Sequence, residues 1–147
     1  MIYNTIMKKV ILDTNILLSG LQSRQGQSYK LLTLLYENRF RIVLSVPLVL
    51  EYEAILKKKL DRTIFTDEII DRFIDYLCAI SEHVKIFYLW RPFLKDPFDD
   101  HLLELALATN CRYIVTYNIK DFAKATELGI SAITPADFIK ILKEDMN

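Results

Sequence analysis

Acidic residues at the ends of apolar segments are the feature of this sequence most suited to chemistry. Asp13 follows the apolar run at 10–12, which is typical of a buried strand. Asp96, Asp99 and Asp100 crowd the start of an apolar helical pattern farther along. Carboxylates this close raise one another's pKa unless a cation lies between them. Carboxylate oxygens without histidine or cysteine partners suit hard cations such as Mg²⁺ or Mn²⁺.

A further candidate acid, Glu51, lies inside a predicted helix, and its neighbours three and four positions away are all apolar. These neighbours are Pro47, Leu48, Ala54 and Ile55. The pattern predicts that Glu51 points along the packed side of the helix, where an unpaired carboxylate is unfavourable. The alternative is a rim position at which Glu51 pairs with an arginine or a lysine. Glu53 differs from Glu51, because Lys57 lies four positions farther along the helix. This spacing predicts an ordinary surface ion pair.

The segment VTYNIKDF, residues 115–122, brings oxygen groups to the end of another apolar run. Thr116 ends that run, and Asn118 and Asp121 occupy the loop that follows. An Asx turn at Asn118 and a helix cap at Asp121 are the simpler explanation. The segment nevertheless adds a hydroxyl and a carboxylate at the carboxyl end of a second predicted strand.

Helix capping is the competing explanation for Asp13 and for either Asp96 or Asp99. Capping accounts for one or two of the clustered aspartates, but not for three with only Lys95 as a base among them. No other residue type competes for a catalytic role. The sequence has no Gly-rich phosphate loop, and no serine, cysteine or histidine lies in a recognisable catalytic pattern.

Composition limits the class of protein. With 147 residues, 52% of them hydrophobic, the chain is long enough for one domain with a sizeable core. We take this domain to span 1–147, with residues 1–7 as a dispensable arm. The net charge is +0, so any site for a polyanion has to be local. Two distant cysteines favour a reducing cytoplasmic setting, and no apolar run reaches the roughly 20 residues of a membrane span.

Short apolar segments alternate with helical patterns along the chain. Strands are predicted at 8–13, 41–45, 84–89, 112–116 and 130–134. Helices are predicted at 27–39, 47–59, 66–80, 98–110, 120–129 and 135–145. The alternation predicts an α/β fold, a three-layer sandwich with a mostly parallel sheet of about five strands. Ligands of such sheets bind beyond the carboxyl ends of the strands, where Asp13 and Thr116 are expected.

Taken in order, these segments resemble the motifs of the PIN-domain nucleases over roughly residues 8–141. VILDTN resembles the first motif, which makes Asp13 the first metal-binding acid and Asn15 its polar companion. LVLEYEAIL resembles the second motif and assigns the second acid to Glu51. DPFDDHLLELAL resembles the third motif and assigns the third acid to Asp100.

VTYNIKDF resembles the fourth motif, in which Thr116 and Asn118 would position water or substrate. In some members of the family an acid occupies the position of Asn118, which here is an amide. The resemblance therefore leaves two alternatives. Either Asp121 supplies the fourth catalytic carboxylate, or a second metal ion binds less tightly.

The resemblance implies a Mg²⁺- or Mn²⁺-dependent endoribonuclease that acts on single-stranded or looped RNA. Asp13, Glu51 and Asp100 would hold the metal, and either Asp96 or Asp99 would assist Asp100. The alternative is a PIN-like RNA-binding or interaction module without catalysis.

RNA contacts and partners are also expected from the sequence. The candidate basic contacts are Lys57, Lys58, Lys59, Arg62 and Arg24, with Arg91 beside Trp90 as a further candidate. Trp90 and Tyr117 are candidates for stacking on bases. The DPFDD form is similar to a bacterial and archaeal subgroup of toxins from toxin–antitoxin pairs. This likeness implies a cognate antitoxin, and the many aromatic residues suit an antitoxin groove or a homodimer interface.

Overall fold

Five parallel strands form one sheet in the computed structural model, which describes residues 7–85 and 93–145. In chain order the strands are β1 Lys9–Leu12, β2 Arg41–Leu44, β3 Glu82–His83, β4 Tyr113–Val115 and β5 Ser131–Ile133. The helices are α1 Thr14–Gln22, α2 Gln27–Tyr36, α3 Val46–Lys59, α4 Asp67–Ile80, α5 Pro97–Thr109 and α6 Pro135–Asp145. A 3₁₀ helix covers Ile119–Leu128. The predicted α/β fold is confirmed.

The central strand is β1, which pairs with β2 on one side and β4 on the other. Val10 lies opposite both Ile42 and Tyr113, and 10–12 are fully buried because helices cover both faces of the sheet. The strand order is β3-β2-β1-β4-β5. The direction of winding therefore reverses between β1 and β4, which makes their carboxyl ends the expected ligand crevice.

The layers follow from the handedness of the connections. Right-handed crossovers from β1 to β2 and from β2 to β3 place α1 to α4 on one face of the sheet. The connections that enter β4 and β5 run in the opposite direction, which places α5 and the 3₁₀ helix on the other face. Helix α6 packs beside α2. The result is the three-layer sandwich expected from the alternating pattern.

Local sequence explains where several helices begin and end. Ser45, Thr66 and Asp96 cap α3, α4 and α5, each accepting a hydrogen bond from a backbone N–H of the first turn. Asn110 ends α5 in the left-handed conformation, and Gly129 ends the 3₁₀ helix with a φ of 80°. These caps hold α5 and the 3₁₀ helix beside the crevice.

Two elements differ from the sequence predictions. Helix α1 was not predicted, because its apolar residues at 16–18 form only a short run after the polar residues at 13–15. The third strand is observed at Glu82–His83 instead of beginning at 84, and residues 86–89 of the predicted strand lie outside the described chain. Its exposed polar side chains suit the edge of a sheet, where an apolar run was expected. No helix within 7–85 or 93–145 has the length and apolar character to cross a membrane.

Candidate active site

Asp13 lies where β1 ends and α1 begins, and it is only 6% exposed. Its backbone N–H donates to the Val115 carbonyl of β4 at 2.9 Å. Its carboxylate accepts from the Thr14 N–H at 2.8 Å and from the Thr116 hydroxyl at 2.7 Å. Asp13 therefore does cap α1, as the simpler explanation held, while β4 holds its second oxygen at the crevice.

The pKa of the Asp13 carboxyl group is raised. Burial is the main cause, and the hydrogen bonds from Thr116 and Thr14 oppose it. The charges of Asp96 and Asp121 raise the pKa further. These two aspartates come from the start of α5 and from the 3₁₀ helix, so three segments bring acids to one place.

The Thr116 hydroxyl group is fully buried and engaged. It donates its one hydrogen to Asp13 and accepts from the Asn118 N–H at 3.0 Å. Thr116 thus holds an acid in position, and the role in positioning water or substrate that the resemblance implies stays a prediction. The hydroxyl group's contribution is to fix the geometry of Asp13.

Asp100 is 2% exposed, and both of its carboxylate oxygens accept hydrogen bonds from backbone. The donors are the Leu94 N–H at 2.7 Å and the Phe93 N–H at 3.3 Å. Asp100 therefore fastens the chain before α5 to the helix. The resemblance assigned the third metal-binding acid to this residue, and that assignment stays a prediction, because a carboxylate oxygen that accepts one hydrogen bond keeps a second lone pair.

The neighbouring Asp99 has the environment expected of a site acid. Burial raises its pKa to about 7, together with the charges of Asp96, Asp13, Asp121 and, last, Asp100. The Asp99 side chain is 8% exposed and lines a cavity. Of the two adjacent aspartates, Asp99 lines the cavity and Asp100 does not.

Asp96 and Asp121 form the exposed side of this acidic group. Asp96 caps α5 by accepting from the Phe98 N–H at 2.9 Å. Asp121 lies in the first turn of the 3₁₀ helix, and neither it nor Asn118 makes a side-chain cap there. The capping explanation is correct for Asp96 and wrong for Asp121, whose carboxylate lines the cavity instead.

Glu51 lies on α3 and is half-buried, beside the buried row of that helix. The buried row consists of Leu48, Tyr52 and Leu56. In the described chain no hydrogen bond or ion pair joins the Glu51 side chain to Asp13 or to any other residue. Its assignment as the second metal-binding acid stays a prediction.

Tyr52 was not predicted to take part in the site. It is fully buried, and its hydroxyl group donates to the Leu12 carbonyl at the end of β1. Burial raises its pKa, and the charge of Asp13 adds to the effect. The signal in the sequence is a tyrosine at a core position of α3, because a buried phenol requires a hydrogen-bond acceptor.

Two polar atoms beside Asp13 have no hydrogen-bond partner within the described residues. They are the Thr14 hydroxyl oxygen and the Asn15 side-chain carbonyl oxygen. Buried polar atoms usually have a partner, so these two oxygens are available to a ligand or to water at the end of β1. This position agrees with the companion role expected of Asn15.

A cavity of about 830 Å³ opens beside the acids. Its lining residues are Phe93, Leu94, Lys95, Asp96, Pro97, Asp99, Lys120, Asp121, Ala123 and Lys124. Three aspartates and three lysines therefore share one cavity wall. The sequence analysis missed these lysines, because they are scattered singly along the chain.

A family model for the PIN domain matches residues 9–120. The chain belongs to the PIN domain family. A search of the curated proteins finds no match to it. The matched part of this PIN domain runs from β1 to the first turn of the 3₁₀ helix and ends one residue before Asp121. Family membership supports a nuclease-type hydrolase in general, and PIN domains typically use divalent metal ions.

The donor set of this PIN domain fits a hard divalent cation in kind and charge. Asp13, Asp96, Asp99 and Asp121 offer only oxygen donors, and their charges raise the pKa of the buried Asp99. A cation among them would relieve that repulsion. As placed, no three acidic, histidine or cysteine side chains within 7–85 and 93–145 form a closed metal cage.

The basic residues predicted to bind RNA that the structure describes do not line the cavity; they are Lys57, Lys58, Lys59, Arg62 and Arg24. Lys57 pairs with Glu53 at 3.0 Å, as predicted, and with Asp71 at 2.9 Å, while Arg62 pairs with Asp67. Lys58, Lys59 and Arg24 are exposed. Trp90 and Arg91 lie outside the described residues. RNA contact by any of these residues stays a prediction.

Proposed function

We propose that this PIN domain is a Mg²⁺- or Mn²⁺-dependent endoribonuclease whose centre is built on Asp13 and Asp99. Asp96 and Asp121 complete the acidic group at the mouth of the cavity. The observation that carries the proposal is the buried Asp99 carboxyl group, whose pKa of about 7 reflects burial and the surrounding aspartates. Strongly perturbed carboxyl groups in a cleft are typical of catalytic sites.

Each residue has a distinct part in this proposal. When bound, the metal ion lowers the pKa of an attacking water molecule and offsets charge on the phosphate. Thr116 orients Asp13, and Asp100 fixes the backbone at Phe93 and Leu94, which forms one wall of the cavity. We therefore assign Asp100 to positioning and Asp99 to the metal.

Glu51 enters the proposal as an outer acid. Tyr52 ties α3 to the end of β1, so that Glu51 lies one residue from a side chain in contact with the site strand. Its half-buried carboxylate has no other partner in the described chain. We propose that Glu51 holds the metal ion through water.

Cleavage of a labelled structured RNA with Mn²⁺, with Mg²⁺ and with EDTA tests the proposal. The wild type is compared with Asp13→Asn and Asp99→Asn. Asp75→Asn is the matched control, because Asp75 is an exposed residue of α4 outside the cavity. We expect metal-dependent cleavage by the wild type and the control only. Folded wild-type protein that is inert in both metals contradicts the proposal.

The second candidate function is an RNA-binding module without catalysis. Two observations favour it: the amide at Asn118 and the lack of a closed cage among the described acids. Calorimetric titration with Mn²⁺ separates the two candidates. The nuclease binds the ion, and Asp99→Asn weakens that binding, whereas a module without catalysis needs no ion.

We also propose that the chain is the toxin of a toxin–antitoxin pair and acts in the cytoplasm, with a protein antitoxin and a homodimer as partners. The likeness of the DPFDD segment to such toxins supports this. An apolar groove between α1, α2 and α4 also supports it, with exposed Tyr29 and Tyr36 on its wall. Induced expression in a bacterial host is the test. Growth arrest by the wild type but not by Asp99→Asn is expected.

A further inference from the structure

Three lysines share the cavity wall with the acids, and we call Lys95, Lys120 and Lys124 the lysine rim. All three are exposed. In the described chain no ion pair joins a rim lysine to any acid, although Asp96 and Asp121 line the same cavity. In the described chain, the rim lysines and the neighbouring aspartates therefore face the same cavity without direct ion pairs between them.

The remaining residues do not alter this conclusion. Residues 1–6, 86–92 and 146–147 contain no aspartate and no glutamate, so they have no acidic side chain to offer to the rim. The only charged side chain among them is Arg91, which has the same sign as the rim. No acidic side chain outside the described residues can therefore pair with the rim.

The geometry of the 3₁₀ helix explains why the lysines reach the cavity. Side chains three positions apart align along such a helix, which gives it three rows. In the middle of one row, Phe122 and Ala125 are fully buried. Lys120 lies on the second row, and Asp121 and Lys124 lie on the third. All three residues line the cavity. One helix therefore presents an acid and two cations to the same space.

Phe93 gives the rim a rigid partner. The Lys124 ammonium lies 4.3 Å from the centroid of the Phe93 ring, and the Phe93 N–H donates to Asp100. The contact places the ammonium group itself over the ring, at the cavity that both residues line. An aromatic ring beside cations is the combination by which proteins hold single-stranded nucleic acid.

We propose that the lysine rim binds the phosphates of a single-stranded RNA and lays the strand across the acidic group. The identification of the bound strand as RNA rests on the proposed nuclease function. The lysines act as positioning residues: they hold phosphates on either side of the bond that faces Asp99. The sequence analysis predicted RNA contact for the lysine run at the end of α3, whereas this proposal assigns it to the rim.

Binding of fluorescently labelled single-stranded RNA, measured by anisotropy in EDTA, tests the rim without cleavage. The test variant is Lys120→Ala/Lys124→Ala. The matched control is Lys140→Ala/Lys143→Ala, which removes two exposed lysines of α6 outside the cavity. We expect the test variant to raise Kd roughly tenfold and to lower the salt dependence by about 1.4 in log–log slope. The control is expected to stay within about twofold of the wild type.

Three results overturn the proposal. The first is an unchanged Kd in the rim variant, and the second is an equal loss of RNA affinity in both double variants. The third is displacement of the RNA by poly-glutamate at the concentration at which unlabelled RNA displaces it. Circular dichroism first establishes that both variants are folded. RNA that binds through the rim but is cut in neither metal contradicts the nuclease function and leaves the rim in place. Metal-dependent cleavage together with an unchanged Kd in the rim variant contradicts the role of the rim and leaves the nuclease function in place.

Discussion

Two charged regions of this PIN domain are built in opposite ways. At the α3–α4 hairpin, Lys57 bridges Glu53 and Asp71, and Arg62 pairs with Asp67. At the cavity, aspartates and lysines line one wall, and no ion pair forms between them in the described chain. The difference separates charges that join helices from charges that are available to a ligand. The predictions below test that separation, from the largest expected effect to the smallest.

Asp99→Asn is expected to lower the rate of metal-dependent RNA cleavage by at least about 10²-fold. Loss of residues that only support metal ligands already lowers activity 10- to 100-fold, so loss of a ligand has a larger effect. Single-turnover cleavage in Mn²⁺ provides the measurement. Cleavage by this variant at the wild-type rate would contradict the assignment of Asp99 to the metal.

Asp100→Asn is expected to lower the free energy of unfolding by about 1–3 kcal/mol, because an amide group would face two backbone N–H donors. The measurement is urea unfolding in EDTA. The adjacent Asp99→Asn is the control and is expected not to destabilise the protein. Equal destabilisation by both substitutions would show that the two carboxylates have similar roles.

Asp99 is also expected to make stability depend on pH. Its pKa is about 7 in the folded protein and near 3.8 in the unfolded chain. The folded state therefore holds the proton more tightly, and the stabilisation present below pH 3.8 is lost as the pH rises through 7. At pH 8, Asp99→Asn is expected to be more stable than the wild type by on the order of 1–3 kcal/mol. A stability difference that does not change between pH 4 and 8 would contradict the buried environment of Asp99.

Lys57→Ala is expected to have the smallest effect on RNA. Lys57 already pairs with Glu53 and Asp71, so its charge is neutralised within the hairpin. RNA affinity in EDTA should be unchanged, and the thermal midpoint should fall only slightly, as is usual for exposed ion pairs. A loss of affinity as large as that of Lys120→Ala/Lys124→Ala would remove the distinction between the two regions.

The sequence predicted the layers of the fold because each buried strand is a short apolar run. Helix α1 could not be predicted in the same way, since the apolar run at 16–18 is too short to show a helical spacing. The sequence also predicted Asp13 at the end of a strand. It could not distinguish Asp99 from Asp100, because adjacent helical residues differ only in direction and tertiary contacts decide which one faces the cavity.

Basic residues show the same limitation. The run at Lys57, Lys58 and Lys59 is conspicuous in the sequence, yet Lys57 is engaged in ion pairs. Lys95 and Lys120 are 25 positions apart in the sequence and meet at one cavity. Only the packing of the 3₁₀ helix against the start of α5 brings them together. Charge that converges through tertiary structure leaves no local pattern.

The hydrogen bond from Thr116 to Asp13 joins residues 103 positions apart, and it has a consequence for protein synthesis. A ribosome adds about 5–20 residues per second, so roughly 5–20 s separate the translation of these two residues. Until β4 emerges, Asp13 lacks both the Thr116 hydroxyl group and the neighbouring strand. A nascent chain therefore carries no assembled centre near the RNA of the ribosome that makes it.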